Sequence, residues 1–277
     1  MDQAPGKNGE AENPDGETAV YLFAFARTEL LPELAGPGLD GRRGLVGLSW
    51  QDISAVACQV SRRDFSGPEG EGKMQDLVWL EPRVCRHQEL IGEVMRYSPV
   101  LPARFGTLFS SRRTLKSLMK RHYRLIAGFL DRVADMEEWA VKGWLDTEAS
   151  RGRLLAETLA GHAGKLASLL PGRRYFYEQR LRGGLDRELR IQVEKIARDL
   201  AAHLRPAAAE FRERRLHRSP SGKTGDLVLN WAFLVPRRAL ADFQARLQEA
   251  AAVQADAGLI LEHSGPWPPY SFSPPLH

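Results

Sequence analysis

The sequence predicts an α+β fold whose second half is a modified ferredoxin-like sandwich with long helices. Three observations lead there. Short apolar runs of strand length recur along the whole chain, at 19–26, 44–50, 53–60, 138–145, 226–235 and 258–263. Between them, apolar residues repeat at helical spacing. From residue 138 onward the order is strand, helices, strand, helix, strand, which with one extra edge strand approximates the ferredoxin-like arrangement.

The elements follow in order. Residues 1–17 hold Gly, Pro, Asn and Glu without periodicity and read as a disordered tail. Ala19 to Ala26 is a continuous apolar and aromatic run, as expected of a central strand covered on both faces. Two further strands, 44–50 and 53–60, are joined by Gln51-Asp52 alone, which predicts a hairpin. Residues 61–73 carry three glycines and a proline among charges and read as a loop. Over 76–96 the stripe Val84, Leu90, Ile91, Val94 and Met95 predicts a helix, with Pro82 interrupting it or opening a new one. Residues 98–109 contain Pro99 and Pro102, which excludes a central strand and leaves an edge strand or an extended crossover.

Ser110 or Ser111 can cap a helix to about residue 134, with Leu115, Leu118, His122, Leu125, Phe129 and Val133 on one face. After the strand at 138–145, helices are expected over about 147–170, stopping at Pro171-Gly172, and over about 185–215. Between them lies a basic and aromatic cluster, Arg173-Arg174-Tyr175-Phe176-Tyr177-Glu178. A strand at 226–235, a helix from Pro236 and a strand at 258–263 complete the fold.

Composition narrows the function. With 277 residues, 43% hydrophobic and 27% charged, the chain is an ordinary globular protein of one or two domains. No apolar run approaches the roughly 20 residues of a membrane span, and the polar, acidic start does not resemble a secretory signal, so a cytoplasmic location is expected. Cys58 and Cys85 fit no metal or redox spacing and are expected to be reduced and buried. The net charge is only +4, and arginine doublets are dispersed along the chain, as on a solvated, ion-paired surface.

Local chemistry is sparse. Gly222-Lys223-Thr224 ends like a phosphate-binding loop, but His217 stands where the motif needs glycine, and a strand rather than a helix follows. None of the seven histidines forms a metal pair with another His or Cys at a recognised spacing, and His122 on its helix stripe reads as a core or boundary residue. No cofactor is expected. Arg212-Glu213-Arg214-Arg215-Leu216-His217-Arg218 reads as a basic helix end. It offers the alternative function of a nucleic-acid module or, with Lys223, a nucleotide-binding enzyme, although cations there also complement the helix dipole.

Two proline segments carry more information. Pro102-Ala103-Arg104-Phe105-Gly106-Thr107 resembles the Pro-x-Arg-Phe-Gly-Thr stretch of the gas vesicle F/L accessory family (GvpF/GvpL). Gly265-Pro266-Trp267-Pro268-Pro269-Tyr270-Ser271-Phe272 resembles that family's C-terminal Gly-Pro-Trp-Pro-Pro-Tyr-x-Phe, and the two occur in the family's order. The resemblance implies two α+β domains, assigned here as 18–110 and 111–277. It implies a non-catalytic role in vesicle assembly, with contacts to the small hydrophobic shell protein and other accessory proteins. It supplies no catalytic residue to carry over, and the dispersed charge and the short apolar runs leave no nucleic-acid partner and no membrane span expected. Pro266, Pro268 and Pro269 fix φ and remove donors, so their segment should be stiff and extended. Trp267, Tyr270 and Phe272 can then cover a sheet edge or a domain junction, and Arg104 can bind carbonyls or a carboxylate. Both segments thus read either as joints between domains or as a partner-binding surface.

Overall fold

The computed structural model describes residues 17–216, 225–255 and 257–276. The expected N-terminal tail, apart from Glu17, lies outside them, as do His217, Arg218, the 221–224 fragment and His277. Helices and two antiparallel sheets divide between two compact units, one reaching Ala134 and resuming at Pro268, the other Asp135–Trp267. This division differs from the expected boundary at 110/111. The helix after residue 111 belongs to the first unit because its apolar face packs on that unit's sheet. The chain's last residues return to the first unit as well.

In unit 1, β1 (Thr18–Arg27), β2 (Leu45–Trp50), β3 (Ile53–Ser61) and β4 (Val100–Pro102) run in the order β2-β3-β1-β4, and β5 (Leu108–Phe109) also pairs with β1. The hairpin closes at Trp50↔Ile53, with Gln51 at a φ of 53°. The apolar run of β1 is central and buried, as its composition predicts. A register shift between Leu22 and Ala24 resets its alternation. Ala19, Tyr21, Phe23, Ala24 and Ala26 therefore share one core with Leu90, Ile91 and Val94, leaving Leu22 and Phe25 for the other face.

Residues 67–75 are helical, contrary to the expected loop. Pro68 sits in the first turn of α1 (Gly67–Gln75), where its missing donor costs nothing, and Lys73 bonds Asp64 and Glu69. Gly70 lies so close to Phe65 that a Cβ would meet backbone at 2.6 Å. Helix α2 (Leu77–Met95) is capped by Asp76 and runs through Pro82 without a break. Helix α3 (Arg112–Val133) starts with a capping box between Ser111 and Thr114. Its buried face is Leu115, Met119, Ile126, Phe129, Leu130 and Val133, while Leu125 is exposed. Cys58 is buried, which pushes its thiol pKa up to about 11, whereas Cys85 is exposed rather than buried.

Unit 2 contains β6 (Met136–Leu145), α4 (Thr147–Gly161), α5 (Ala163–Ala167), α6 (Pro171–Leu204), β7 (Glu210–Glu213), β8 (Asp226–Pro236), α7 (Leu240–Ala255) and β9 (Leu259–Trp267). Its strands lie in the order β7-β8-β6-β9. The core joins Trp139, Val141, Trp231 and Phe233 of the sheet to Leu200 and Leu204 of α6 and Phe243 and Leu247 of α7.

Two expectations fail here for one reason, the positional meaning of proline. Pro171 begins a helix instead of stopping one, so the aromatic cluster at 173–178 lies within α6. Pro206, with no N–H to continue the ladder, follows the helix's end at Leu204, and the chain turns into β7. Arg212 is therefore a strand residue, and no helix end exists at 212–216. Arg214 is tied to Glu138, a carboxylate only 1% exposed.

Candidate functional site

The first proline segment is an interrupted edge strand on β1. β4 pairs antiparallel with Ala24–Ala26 and β5 with Val20 and Tyr21, so residues 103–107 form the break between them. The break remains stitched to β1, because Ala103 N–H donates to the Phe23 carbonyl at 2.8 Å and Leu22 N–H to the Thr107 carbonyl at 3.0 Å. Between these bonds the chain turns tightly. Thr107 donates to the Arg104 carbonyl through both its N–H, at 3.1 Å, and its hydroxyl, at 2.6 Å. Gly106 supplies a φ of 81°, which L side chains rarely adopt. The turn has two outcomes. Phe105 points inward onto the rings of Tyr21, Phe65 and His87 at 5.7–6.2 Å. Arg104 stays exposed and makes no ion pair among the described residues.

Beneath the turn lies a buried polar chain. Gly106 N–H donates to Tyr21 Oη at 3.2 Å, so the Tyr21 hydroxyl hydrogen is directed to His87 Nδ1 at 2.9 Å. His87 Nε2 therefore carries the proton, facing the Ala103 carbonyl and Tyr270 Oη, both at 3.1 Å. Gln88 Nε2 also donates to Tyr270 Oη, at 3.3 Å. His87 is fully buried, and burial lowers its pKa from 6.5 to about 4, against the opposing bond to Ala103. Burial likewise raises the Tyr21 phenol above its ordinary value. Both groups are neutral at pH 7 and sealed from solvent. They hold three distant segments together and lack the access an acid–base catalyst needs.

The second proline segment divides in two. Gly265, Pro266 and Trp267 end β9, with Trp267 opposite Glu138, and a Cβ on Gly265 would meet the Glu138 carbonyl and the Trp139 ring at 2.9 Å. Pro268 and Pro269 carry the chain out of that unit. The segment does not remain extended throughout, since residues Tyr270–Phe272 form a single 3-10 turn in unit 1. There Tyr270 reaches His87, Phe272 is 1% exposed, and its carbonyl accepts from Arg132 Nη2 at 3.0 Å.

These parts enclose a groove of about 670 Å³ in unit 1. Its apolar lining is Leu22 and Phe25 of β1 and Leu101 and Pro102 of β4, themselves buried, with the partly exposed Phe109 and Leu118. Arg104 and Thr107 stand on one side, and Tyr270, Ser273 and 274–276 on the other. Of the sequence candidates, Pro102, Arg104, Thr107 and Tyr270 meet here, with Phe105, Gly106 and Phe272 supporting them, whereas Gly265, Pro266 and Trp267 stay in unit 2. Sequence reasoning missed Tyr21, His87 and Gln88. Their partners are a phenol and a carbonyl, for which no spacing rule exists.

Among the described residues no group of three or more His, Cys, Asp or Glu side chains could hold a metal, and no helix is long and apolar enough to cross a membrane.

Known proteins give this geometry a context. The family model described as gas vesicle synthesis protein GvpL/GvpF matches residues 19–274. Gas vesicle protein L of Streptomyces sp. strain CB03234 is 28% identical over 262 residues, covering 91% of this chain and 92% of its own. Gas vesicle protein F of the same strain is 28% identical over 260 residues, covering 92% and 99%. The crystal structure of GvpF from Anabaena sp. PCC7120 has the same fold, with a TM-score of 0.69 at 17% identity over 94% of this chain and all of that one. GvpF from Microcystis aeruginosa superposes with a TM-score of 0.64 at 16% identity, over 93% and 99%. With both proline segments in place and the match running from β1 to the groove's last wall, the chain belongs to the GvpL/GvpF family of gas vesicle proteins.

Proposed function

We propose that this chain is a non-catalytic accessory protein of gas vesicle assembly, acting in the cytoplasm. Its unit 1 groove holds the small hydrophobic shell protein, and other accessory proteins join the same assembly. One observation carries the reading: an apolar groove, built by the two segments that mark the family, whose rim carries an arginine with no ion pair among the described residues. Such a surface suits an apolar helix bearing a carboxylate, because the floor buries the helix face while Arg104 fixes its register. The sealed, neutral state of Tyr21 and His87 supports a structural role for this buried polar chain. The two units are read as two domains. The second is read as ferredoxin-like because its strand–helix–strand–strand–helix–strand order and β7-β8-β6-β9 arrangement match that topology.

Arg104→Glu tests the assignment without touching the core, since the side chain is exposed. Affinity-tagged protein is expected to recover the shell protein from cells assembling vesicles. The variant should recover at least about tenfold less, as repulsion replaces a charge-assisted bond. Unchanged recovery by a variant that melts like the wild type would remove the groove from the account.

A further inference from the structure

The chain's excess positive charge has a location. Residues 162–184, which comprise α5, the turn after it and the first part of α6, carry Lys165, Arg173, Arg174, Arg180 and Arg182 against one acid, Glu178. Subtracting them from the chain's 39 Lys and Arg and 35 Asp and Glu leaves 34 of each, so this hairpin tip holds the entire net charge of +4. The arginine doublets are dispersed, but the imbalance is not.

The same tip exposes large apolar side chains. Leu170 and Phe176 are each 74% exposed and Tyr175 59%, within seven residues of one another. No residue of 171–184 is buried. The part of α6 that packs on the sheet begins beyond them, with Leu189, Val193 and Ile196 joining the core. The tip nonetheless has a defined structure: Tyr177 packs against His162 at 5.8 Å and under Lys165 at 4.7 Å, and Tyr175 meets Phe176 edge-on. Arg174 is neutralised by Glu178, while Arg173, Arg180 and Arg182 make no ion pair among the described residues.

We propose that this tip docks on an anionic lipid surface, a role independent of the groove. Leu170, Tyr175 and Phe176 are exposed beside these cations, which suits insertion at head-group depth. The unpaired arginines would meet lipid phosphates. A nucleic acid would use the arginines and aromatic rings but gives Leu170 no partner, and an acidic protein would need a pocket for three projecting side chains. No spanning helix is required, only peripheral attachment.

Co-sedimentation of the full chain with vesicles tests this. The protein is expected to pellet with vesicles of about 70% phosphatidylcholine and 30% phosphatidylglycerol, and not with phosphatidylcholine alone. Binding should weaken as salt shortens the Debye length from about 10 Å at 0.1 M. Arg173→Ala with Arg180→Ala should lower partitioning at least about tenfold, each cation being worth about fivefold at the surface. Leu170→Ser with Phe176→Ser should lower it at every salt concentration. All four positions are exposed, so the variants should keep the wild-type circular dichroism spectrum. Absence of pelleting, pelleting that the substitutions leave unchanged, or equal pelleting with neutral lipid overturns the proposal. Displacement of bound vesicles by an RNA oligonucleotide, with the arginines needed for both, also overturns it.

Discussion

Truncation after Trp267 is expected to destabilise unit 1 by at least about 4 kcal/mol while leaving unit 2 folded. The removed segment contributes Phe272, whose burial alone accounts for about 3–5 kcal/mol when such a side chain is cut to alanine. Tyr270's bonds to His87 and Gln88 add about 1 kcal/mol each. The loss also leaves the Arg132 guanidinium without the Phe272 carbonyl. A domain's whole stability is about 5–15 kcal/mol, so this loss brings unit 1 near its unfolding threshold. Urea unfolding reports it directly, because Trp50 and Trp79 belong to unit 1 and the other four tryptophans to unit 2. A separate, early transition at the first pair is the expected result. Coincident transitions at the full-length midpoint would show that the segment lies on unit 1 without supporting it. Phe272→Ala should reproduce most of the effect.

The second large effect is a loss of stability on acidification through His87. Its folded pKa is lowered from 6.5 to about 4, so the folded state binds fewer protons than the unfolded chain. A base with a depressed pKa contributes stability that is complete above pH 6.5 and lost as pH falls toward 4. The shift corresponds to about 3 kcal/mol at the low end of that window. Protonation would place a hydrogen on Nδ1, where the Tyr21 hydroxyl now donates, and strand a charge in a fully buried site. Asp52 also loses its contribution on acidification, since bonds from Tyr123 and then Arg27 hold its carboxyl below the usual range, but it titrates at lower pH. The two are separable with His87→Gln, which keeps a polar side chain and abolishes the titration. Between pH 7 and 4.5 the unfolding midpoint of unit 1 should fall steeply in the wild type and much less in the variant. Equal slopes would mean that His87 is not the titrating group.

The fold was legible where one physical signal dominated. The apolar run of β1 and the Gln51-Asp52 hairpin link each have one reading, and each took it, while the cap offered by Ser110 or Ser111 fell to Ser111. Misreadings came from residues with two roles. Pro171 serves a helix start as well as a stop, and Pro68 and three glycines sit in a helix because Lys73's ion pairs and the close approach of Gly70 to Phe65 favour it there. Basic residues near 212 match a helix end or a strand equally well, and tertiary pairing with Glu138 decided the matter. Of the site, the two proline segments were visible as patterns but their meeting was not. Tyr21 and His87 are 66 positions apart, and His87 and Tyr270 183. Only the folded chain brings a phenol, an imidazole and a second phenol into one line.

The proposed function turns on whether the groove between Arg104 and the C-terminal segment receives the shell protein. A photo-crosslinking amino acid at Leu118, partly exposed on the groove floor, tests this during vesicle assembly. The expected result is a crosslink that peptide mapping assigns to the shell protein, with the same probe at exposed Val253 of α7 giving none. Crosslinks to the shell protein from Val253 and none from Leu118 would contradict the assignment.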